Sequence, residues 1–410
     1  MPSDVKHAEI VIIGGGAVGC AVAYSLANAG KTGVLLLEKE STVAAVTTPQ
    51  AAGLVGQVRN SVERTRLAMW SVETFSKLQR DEQVNPGWRQ VGSLRLALCK
   101  ERVAEFKRMK AVADEAGLEA DFIENRAAQV KWPMMNFDRV QAVLWCPTDG
   151  YLQPSDLTMS YVAHARRLGA RIQTRTAVQK VIVHNGRVRG VETDAGRIEC
   201  EMVINAAGAH AAHLAQSVGL DLPIFPVRHE YFITVHAEGL QPTLPTVRIP
   251  DSTLYLRAEI NSLLCGGWEP QALSHEPRRY AITENPPPID PDWDVLGRFA
   301  EQLAPEIPEV EQLGIRSVFR GWPTFTPDGR FIVGPSARVP GFVMAGGCNA
   351  HGVSGSAGIG RHVVESILDP DPSPYVKSLS PDRFDREPWD RETARRQAQH
   401  VYETYYSLGH

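Results

Sequence analysis

The six cysteines, Cys20, Cys99, Cys146, Cys200, Cys265 and Cys348, form no C-x-x-C pair, and no histidine cluster stands near two of them. That excludes a zinc-finger or dithiol signature. It points to scattered thiols in a reducing, cytoplasmic compartment, with no metal site expected. Neither charge sign is in excess: 43 Lys and Arg against 47 Asp and Glu give a net −4. No surface built to grip nucleic-acid phosphates is therefore expected. Internal repeats are missing too, and 43% apolar with 22% charged residues excludes a disordered chain. A chain of 410 residues should hold two or more domains with cores large enough to need neither disulfides nor metals.

Long apolar runs are also scarce. Only Ile10 to Gly30 is uncharged over a length that matches a bilayer. Its lead-in, Met1 to Glu9, carries both charge signs, and five glycines interrupt it. Neither a membrane span nor a signal peptide is expected.

What stands there instead is a strand, a glycine turn, a helix and a second strand. Glu9 to Ile13 reads as a buried strand, and Gly14-Gly15-Gly16-Ala17-Val18-Gly19 follows at once. Cys20 to Ala29 is an Ala-rich helix stopped by Gly30, and Gly33 to Leu37 is a second strand ending in Glu38 and Lys39. Gly14, Gly16 and Gly19 have the G-x-G-x-x-G spacing. The first glycine allows the tight turn, the second lets backbone approach a pyrophosphate, and the third lets helix and strand pack closely. The helix start around Ala17 and Val18 offers free N–H groups to phosphates. Glu38 lies about twenty residues on, where an acid accepts hydrogen bonds from a ribose and disfavours a 2′-phosphate.

NAD and FAD share this unit, and later segments choose between them. Val178 to Val183, Val188 to Thr193 and Ile198 to Ile204 read as a meander with turns at Asn185-Gly186 and Ala195-Gly196. It ends in the small residues Asn205-Ala206-Ala207-Gly208. Near the C-terminus, the strand Gly341 to Ala345 runs into Gly346-Gly347-Cys348-Asn349-Ala350-His351-Gly352 and then a helix over Val353 to Ile367. Such a helix start suits the negative charge that a reduced flavin develops, whereas a nicotinamide enzyme has no need of the segment.

The runs VIIGGGAVG…LLEKE, VETDAGRIECEMVINAAGAH and TPDGRFIVGP…GFVMAGGCNAHGVSGSAGIGRHVVE resemble the D-amino-acid oxidase superfamily of FAD amine oxidoreductases. DGYLQPSDLTMSYVAHARRLGARI, PVRHEYFIT and RFDREPWDR…ETYYSLGH are similar to the flavin module of dimethylglycine and sarcosine dehydrogenases. The resemblance implies a mixed α/β (α+β) fold. A Rossmann-type FAD-binding domain (residues 1–82, 148–222 and 318–368) is interwoven with an antiparallel-sheet substrate domain (83–147 and 223–317), as in D-amino-acid oxidase and glutathione reductase. Residues 369–410 form a tail. The expected cofactor is FAD, contacted by the first glycine turn with Glu38 and Lys39, by Gln50, Ala51, Ala52, Gly53 and Leu54, by Val178, Ala207 and Gly208, and by Gly347, Asn349, His351, Gly352, Val353 and Ser354.

The resemblance also implies two departures. In the dimethylglycine branch a histidine before Ala-Ala-Gly-Leu carries the flavin covalently, and here Gln50 stands there. The monomeric sarcosine oxidases use a cysteine shortly before Thr-Pro-Asp, and counting back from Thr326 places Gly321 there. A non-covalent FAD is therefore expected. Larger relatives continue into a folate-binding domain, so a chain stopping at His410 is expected to release formaldehyde or pass it to a separate protein.

On the substrate side, His229, Tyr231 and Ile233 share one face of a strand. His229 either assists the amine, with a pKa near neutrality, or is a structural, hydrogen-bonded histidine. Tyr255 is expected to face the substrate. Arg257 or Arg59 is expected to bind a carboxylate, unless Arg257 simply pairs with Glu269. Trp322 and Arg320 are expected to border the flavin, Trp322 as a substrate-binding residue, and Ile282 to Val295 reads as an irregular loop. The expected reaction is oxidation of a secondary or tertiary amino acid, sarcosine- or dimethylglycine-like. The alternatives are oxidation of a cyclic imino acid or opine, or service as a flavin subunit inactive alone. Dioxygen, an electron-transfer flavoprotein or an accessory subunit would take the electrons.

Overall fold

In the computed structural model, which describes residues 5–385 and 387–408, the chain builds two large sheets. The first has six strands in the order Ile332–Pro335, Phe342–Gly346, Met202–Asn205, Ile10–Ile13, Val34–Leu37 and Arg171–Gln173. All pair in parallel except Ile332–Pro335. Ile10–Ile13 and Val34–Leu37 are buried along their whole length. Both are uninterrupted aliphatic runs, because helices or a second sheet cover each face.

On one face the helix Ala17–Asn28 packs with the helices Pro154–Arg167 and Ser356–Leu368. On the other lies the three-stranded meander Val178–His184, Arg187–Thr193 and Gly196–Glu199. The stretch Ile198 to Ile204, expected as one strand, is two. Gly196–Glu199 closes the meander, and Met202–Asn205 enters the parallel sheet beside Ile10–Ile13. The break falls where the N–H groups of Glu201 and Met202 both turn to the carbonyl of Glu9.

The second sheet has eight strands in the order Ile315–Gly321, His229–Thr234, Ser262–Gly267, Leu254–Glu259, Thr246–Ile249, Ser93–Ala97, Ala142–Cys146 and Asp121–Ile123. Every pairing is antiparallel except Thr246–Ile249 with Ser93–Ala97. The strand Ile315–Gly321 lies wholly in this sheet, so a division at residue 318 runs through it. The register aligns one cross-strand row: Arg95, Arg248, Tyr255, Gly266, Tyr231, Phe319. Residues aligned this way present their side chains to the same face.

The expected irregular loop over Ile282 to Val295 ends early. Asp292 caps the helix Trp293–Leu303 by accepting from the N–H of Val295 at 3.2 Å. The C-terminal segment contributes a working element. Asp390 caps the helix Arg391–Glu403 by accepting from the N–H of Thr393 at 2.7 Å. The buried Ala394, Ala398 and Tyr402 recur every fourth residue and pack against Phe225, Val227, Trp268 and Phe325. Among the described residues no helix is long and apolar enough to cross a membrane.

Candidate active site

Two cavities share Thr47. The smaller, about 140 Å³, is lined by Gly14, Gly16, Glu38, Lys39, Val178, Ala207 and Gly208. The larger, about 1250 Å³, takes in Gln50 to Leu54, Arg59, His229, Tyr255, Asn349, His351, Val353 and Ser354. The glycine turn has the shape its spacing implies. Gly14 has φ +110°, and a Cβ there would lie 2.5 Å from the carbonyl oxygen of Ala206. A Cβ on Gly19 would lie 1.9 Å from the carbonyl oxygen of Gly14, so only glycine lets Ala17–Asn28 start there. Ala17 and Val18 stand on this first turn but do not line the cavity. Glu38 accepts from the N–H of Gly15 at 2.6 Å and of Glu40 at 2.8 Å. This narrow slot, ending at a helix start and an acid, fits the adenosine end of a dinucleotide.

The larger cavity has room for a flavin ring and a substrate. Asn349 and Ala350 adopt left-handed φ of 45° and 60°, a strained pair held by specific bonds. Asn349 Oδ1 accepts from the N–H of Thr326 at 3.1 Å, and Asn349 Nδ2 donates to the carbonyl of Gly347 at 2.7 Å. Gly347 and Gly352 shape this loop without lining the cavity. His351 is pinned between the carbonyl of Asn349 at 2.7 Å and the hydroxyl of Tyr405 at 3.0 Å. Burial, with Arg59 and Arg64 nearby, holds its pKa well below the ordinary histidine value. Gln50 and Gly321 are spatial neighbours: a Cβ on Gly321 would lie 3.1 Å from Gln50 Cβ.

One wall carries a hydrogen-bonded triad. His229 Nε2 lies 2.7 Å from the hydroxyl of Tyr255, and His229 Nδ1 lies 3.0 Å from that of Tyr402. Burial pushes His229 down to about 4, which corrects the near-neutral value expected from its proposed role. The same burial drives Tyr255 and Tyr402 well above the usual phenol value. All three are neutral at physiological pH. Trp268 stacks on Tyr405 at 3.8 Å between ring centres and edges onto Tyr402, which seats the C-terminal segment over the site. The sequence reading missed Tyr402 and Tyr405.

The far end of the cavity is cationic. Arg59, Arg95 and Arg248 line it. Arg59 Nη1 and Arg95 Nη2 both donate to the carbonyl of Val58 at 3.0 Å. Arg95 Nε and Arg248 Nη1 are buried and have no hydrogen-bond partner among the described residues. Burial lowers Arg59 to about 10, with Arg95 and Arg248 adding to the shift. Asp149 positions this end: it accepts from the N–H of Gln57 at 2.8 Å and from the hydroxyl of Ser93 at 2.5 Å. Arg95 and Arg248 were also missed. Their one signal is a lone arginine inside an apolar strand, in Ser-Leu-Arg-Leu-Ala and Thr-Val-Arg-Ile.

Other candidates stand elsewhere. Arg257 is occupied, pairing with Glu259 at 2.5 Å, donating to the carbonyls of Ala52 and Ala258, and lying over the ring of Tyr151. It does not line the cavity. Trp322 donates its indole N–H to the carbonyl of Pro287 at 2.8 Å and meets His275 edge-on, again outside the cavity. Arg320 likewise lies outside the lining. Glu269 pairs with Arg228 at 2.6 Å, not with Arg257. Beside that pair Glu230 is buried, its Oε1 has no hydrogen-bond partner, and burial raises it to about 7.

Residues 9–366 match the family model described as FAD dependent oxidoreductase. The chain is 29% identical over 378 residues to 4-methylaminobutanoate oxidase (formaldehyde-forming) of Paenarthrobacter nicotinovorans, covering 92% of this chain and 46% of that protein. It is 32% identical over 387 residues to human mitochondrial dimethylglycine dehydrogenase, covering 92% and 44%. The chain thus spans less than half the length of these two relatives. The crystal structure of L-proline dehydrogenase from P. horikoshii superposes with a TM-score of 0.84 at 26% identity, covering 93% of this chain and 99% of that one.

Proposed function

The chain belongs to the DAO family of FAD-dependent oxidoreductases, and from that premise we propose that it oxidises the C–N bond of a secondary or tertiary amino acid, an N-methyl amino acid first among them. The observation that carries this reading is a neutral His229–Tyr255 pair and an unneutralised arginine cluster in one cavity, continuous with the dinucleotide slot. The resemblance of the chain to two proteins whose names specify N-methylated amino acids supports it.

When bound, FAD supplies the acceptor for the two electrons and the hydrogen of the broken C–H bond. Gly14, Gly16, Glu38 and Val178 would hold its adenosine half, and Gln50 to Leu54 with Asn349, Ala350, His351, Val353 and Ser354 its ring. The arginines receive the substrate carboxylate. They also set the protonation state of the amine, because buried positive charge disfavours an ammonium. A neutral amine keeps the lone pair that drives loss of the C–H hydrogen. Neutral His229 has one N–H and one lone pair, so it donates to one tyrosine and accepts from the other. With Nδ1 accepting from Tyr402 and the Nε2–H donating to the Tyr255 oxygen, the Tyr255 hydroxyl proton is left free for the substrate and all three groups stay neutral. The stacked Trp268 and Tyr405 exclude water from above the reacting carbon.

Neither Gln50 nor Gly321 offers a nucleophile, so the cofactor is held without a covalent bond. Formaldehyde would leave on hydrolysis of the imine from an N-methyl substrate. The test is anaerobic mixing of the holoprotein with N-methylated and cyclic amino acids, following loss of flavin colour and trapping formaldehyde. Bleaching with formaldehyde supports N-demethylation. Bleaching by proline-type substrates alone favours the second reading, oxidation of a cyclic imino acid, to which the likeness to L-proline dehydrogenase lends weight. No bleaching by any amine overturns both.

A further inference from the structure

The cationic end of the larger cavity holds more positive charge than one substrate carboxylate neutralises. Among the described residues seven arginines and two carboxylates line the cavity. Glu105 pairs with one of these arginines, Arg102, at 2.6 Å, and Asp328 accepts from Arg383, outside the lining, at 2.8 Å. Asp149, whose charge acts on Arg95, spends its oxygens on Gln57, Ser93 and Cys146.

Arg95 and Arg248 face each other in register on adjacent strands, an arrangement that destabilises a sheet when both residues are charged. Both are more than nine-tenths buried, and each keeps an N–H group with no acceptor among the described residues. Arg59 joins Arg95 through the shared carbonyl of Val58. Buried guanidinium N–H groups without acceptors destabilise the fold unless an anion joins them. Phe106, Met109 and Val112 line the same cavity and offer an apolar surface for a short methylene stem.

We infer that the amine substrate is dicarboxylic, its second carboxylate received by the Arg95–Arg248 pair. This rests on the amine-oxidation reading and narrows it. One carboxylate among three guanidiniums leaves two charges unmatched, whereas two carboxylates leave one. Each arginine presents a planar fork that fits a carboxylate. Arg248 also neighbours Tyr255 across the strands, so the subsite and the reacting carbon lie on one wall.

The experiment uses the holoprotein and two kinds of probe. Glutarate and butyrate are titrated through the change they cause in the visible flavin spectrum. N-methyl-L-glutamate and N-methyl-L-alanine are compared as reductants. Glutarate is expected to bind about tenfold or more tightly than butyrate. Arg248→Met and Arg95→Met are each expected to erase that preference. N-methyl-L-glutamate is expected to bleach the flavin at lower concentration than N-methyl-L-alanine. Equal binding of glutarate and butyrate by the unaltered protein overturns the inference, whether or not the variants fold. So does a preference that survives both substitutions. A glutarate preference without bleaching by any amine sinks amine oxidation and leaves the dicarboxylate subsite standing. Equal bleaching by both amines without a glutarate preference does the reverse.

Discussion

The imidazole of His229 and the phenol of Tyr255 are 2.7 Å apart, although their strands are not sheet neighbours. The intervening strand carries Gly266 at the crossing point, and the Tyr255 ring passes over it. The resulting Tyr255–His229–Tyr402 chain joins two strands and the C-terminal helix through three neutral groups.

Tyr255→Phe keeps the ring and removes the hydroxyl. His229→Asn removes the imidazole. Each is expected to slow anaerobic flavin reduction about tenfold or more, at the low side of acid–base contributions. Stopped-flow absorbance checks this. Unchanged rates in both variants would remove the pair from the chemistry.

Gly266→Ala places a methyl group where a Cβ would lie 2.3 Å from the Tyr255 hydroxyl and 2.7 Å from Tyr231 Cβ. The hydroxyl must leave His229. The expected result is normal flavin content with a reduction rate as slow as that of Tyr255→Phe. Combining the two substitutions should add little, since both break the same contact.

His229 is held neutral by burial, with its pKa lowered from 6.5 to about 4. Between those values the unfolded chain binds the proton and the folded one does not. Stability is therefore lost as pH falls from 6.5 toward 4, by at most about 3 kcal/mol from this residue. Urea melts at pH 7 and pH 4.5 should show a smaller acid loss in His229→Asn than in the unaltered protein.

Glu230 has the opposite sign. Its pKa rises from 4.5 to about 7, so the folded state keeps a proton that the unfolded chain has released. That stability is complete below 4.5 and is lost as pH rises through 7. Glu230→Gln cannot ionise, and its amide oxygen still accepts from the N–H of Asp292, as Glu230 does at 3.2 Å. Between pH 6 and pH 8.5 the melting temperature of Glu230→Gln should fall less than that of the unaltered protein.

Denaturing and precipitating the holoprotein should leave its yellow colour in the supernatant, as Gln50 and Gly321 imply. Colour in the pellet would show a covalent attachment elsewhere.

The dinucleotide slot was legible because its determinants are local. Gly14, Gly16, Gly19 and Glu38 act within one strand–helix–strand unit, and steric exclusion at Gly14 and Gly19 leaves a mark in the sequence. His229 and Tyr255 were found through resemblance, but their environment was not, since the burial that lowers His229 comes from distant segments. The arginine subsite was hidden for a related reason. Arg95 and Arg248 meet through a parallel pairing of remote strands, and nothing local distinguishes them from the occupied Arg257. Tyr402 and Tyr405 sat in a stretch that reads as a tail, and only the stacking of Tyr405 on Trp268 shows that it completes the chamber.

That last contact bears on biosynthesis. His229 and Tyr402 are separated by 173 positions, so a ribosome delivers the histidine long before the phenol that anchors its Nδ1. A chain that ends between Trp268 and Tyr402 lacks both the partner of His229 Nδ1 and the ring that stacks on Trp268. Translation errors upstream of the final helix should therefore yield polypeptides that proteases clear as incomplete, and not a population of half-active enzyme.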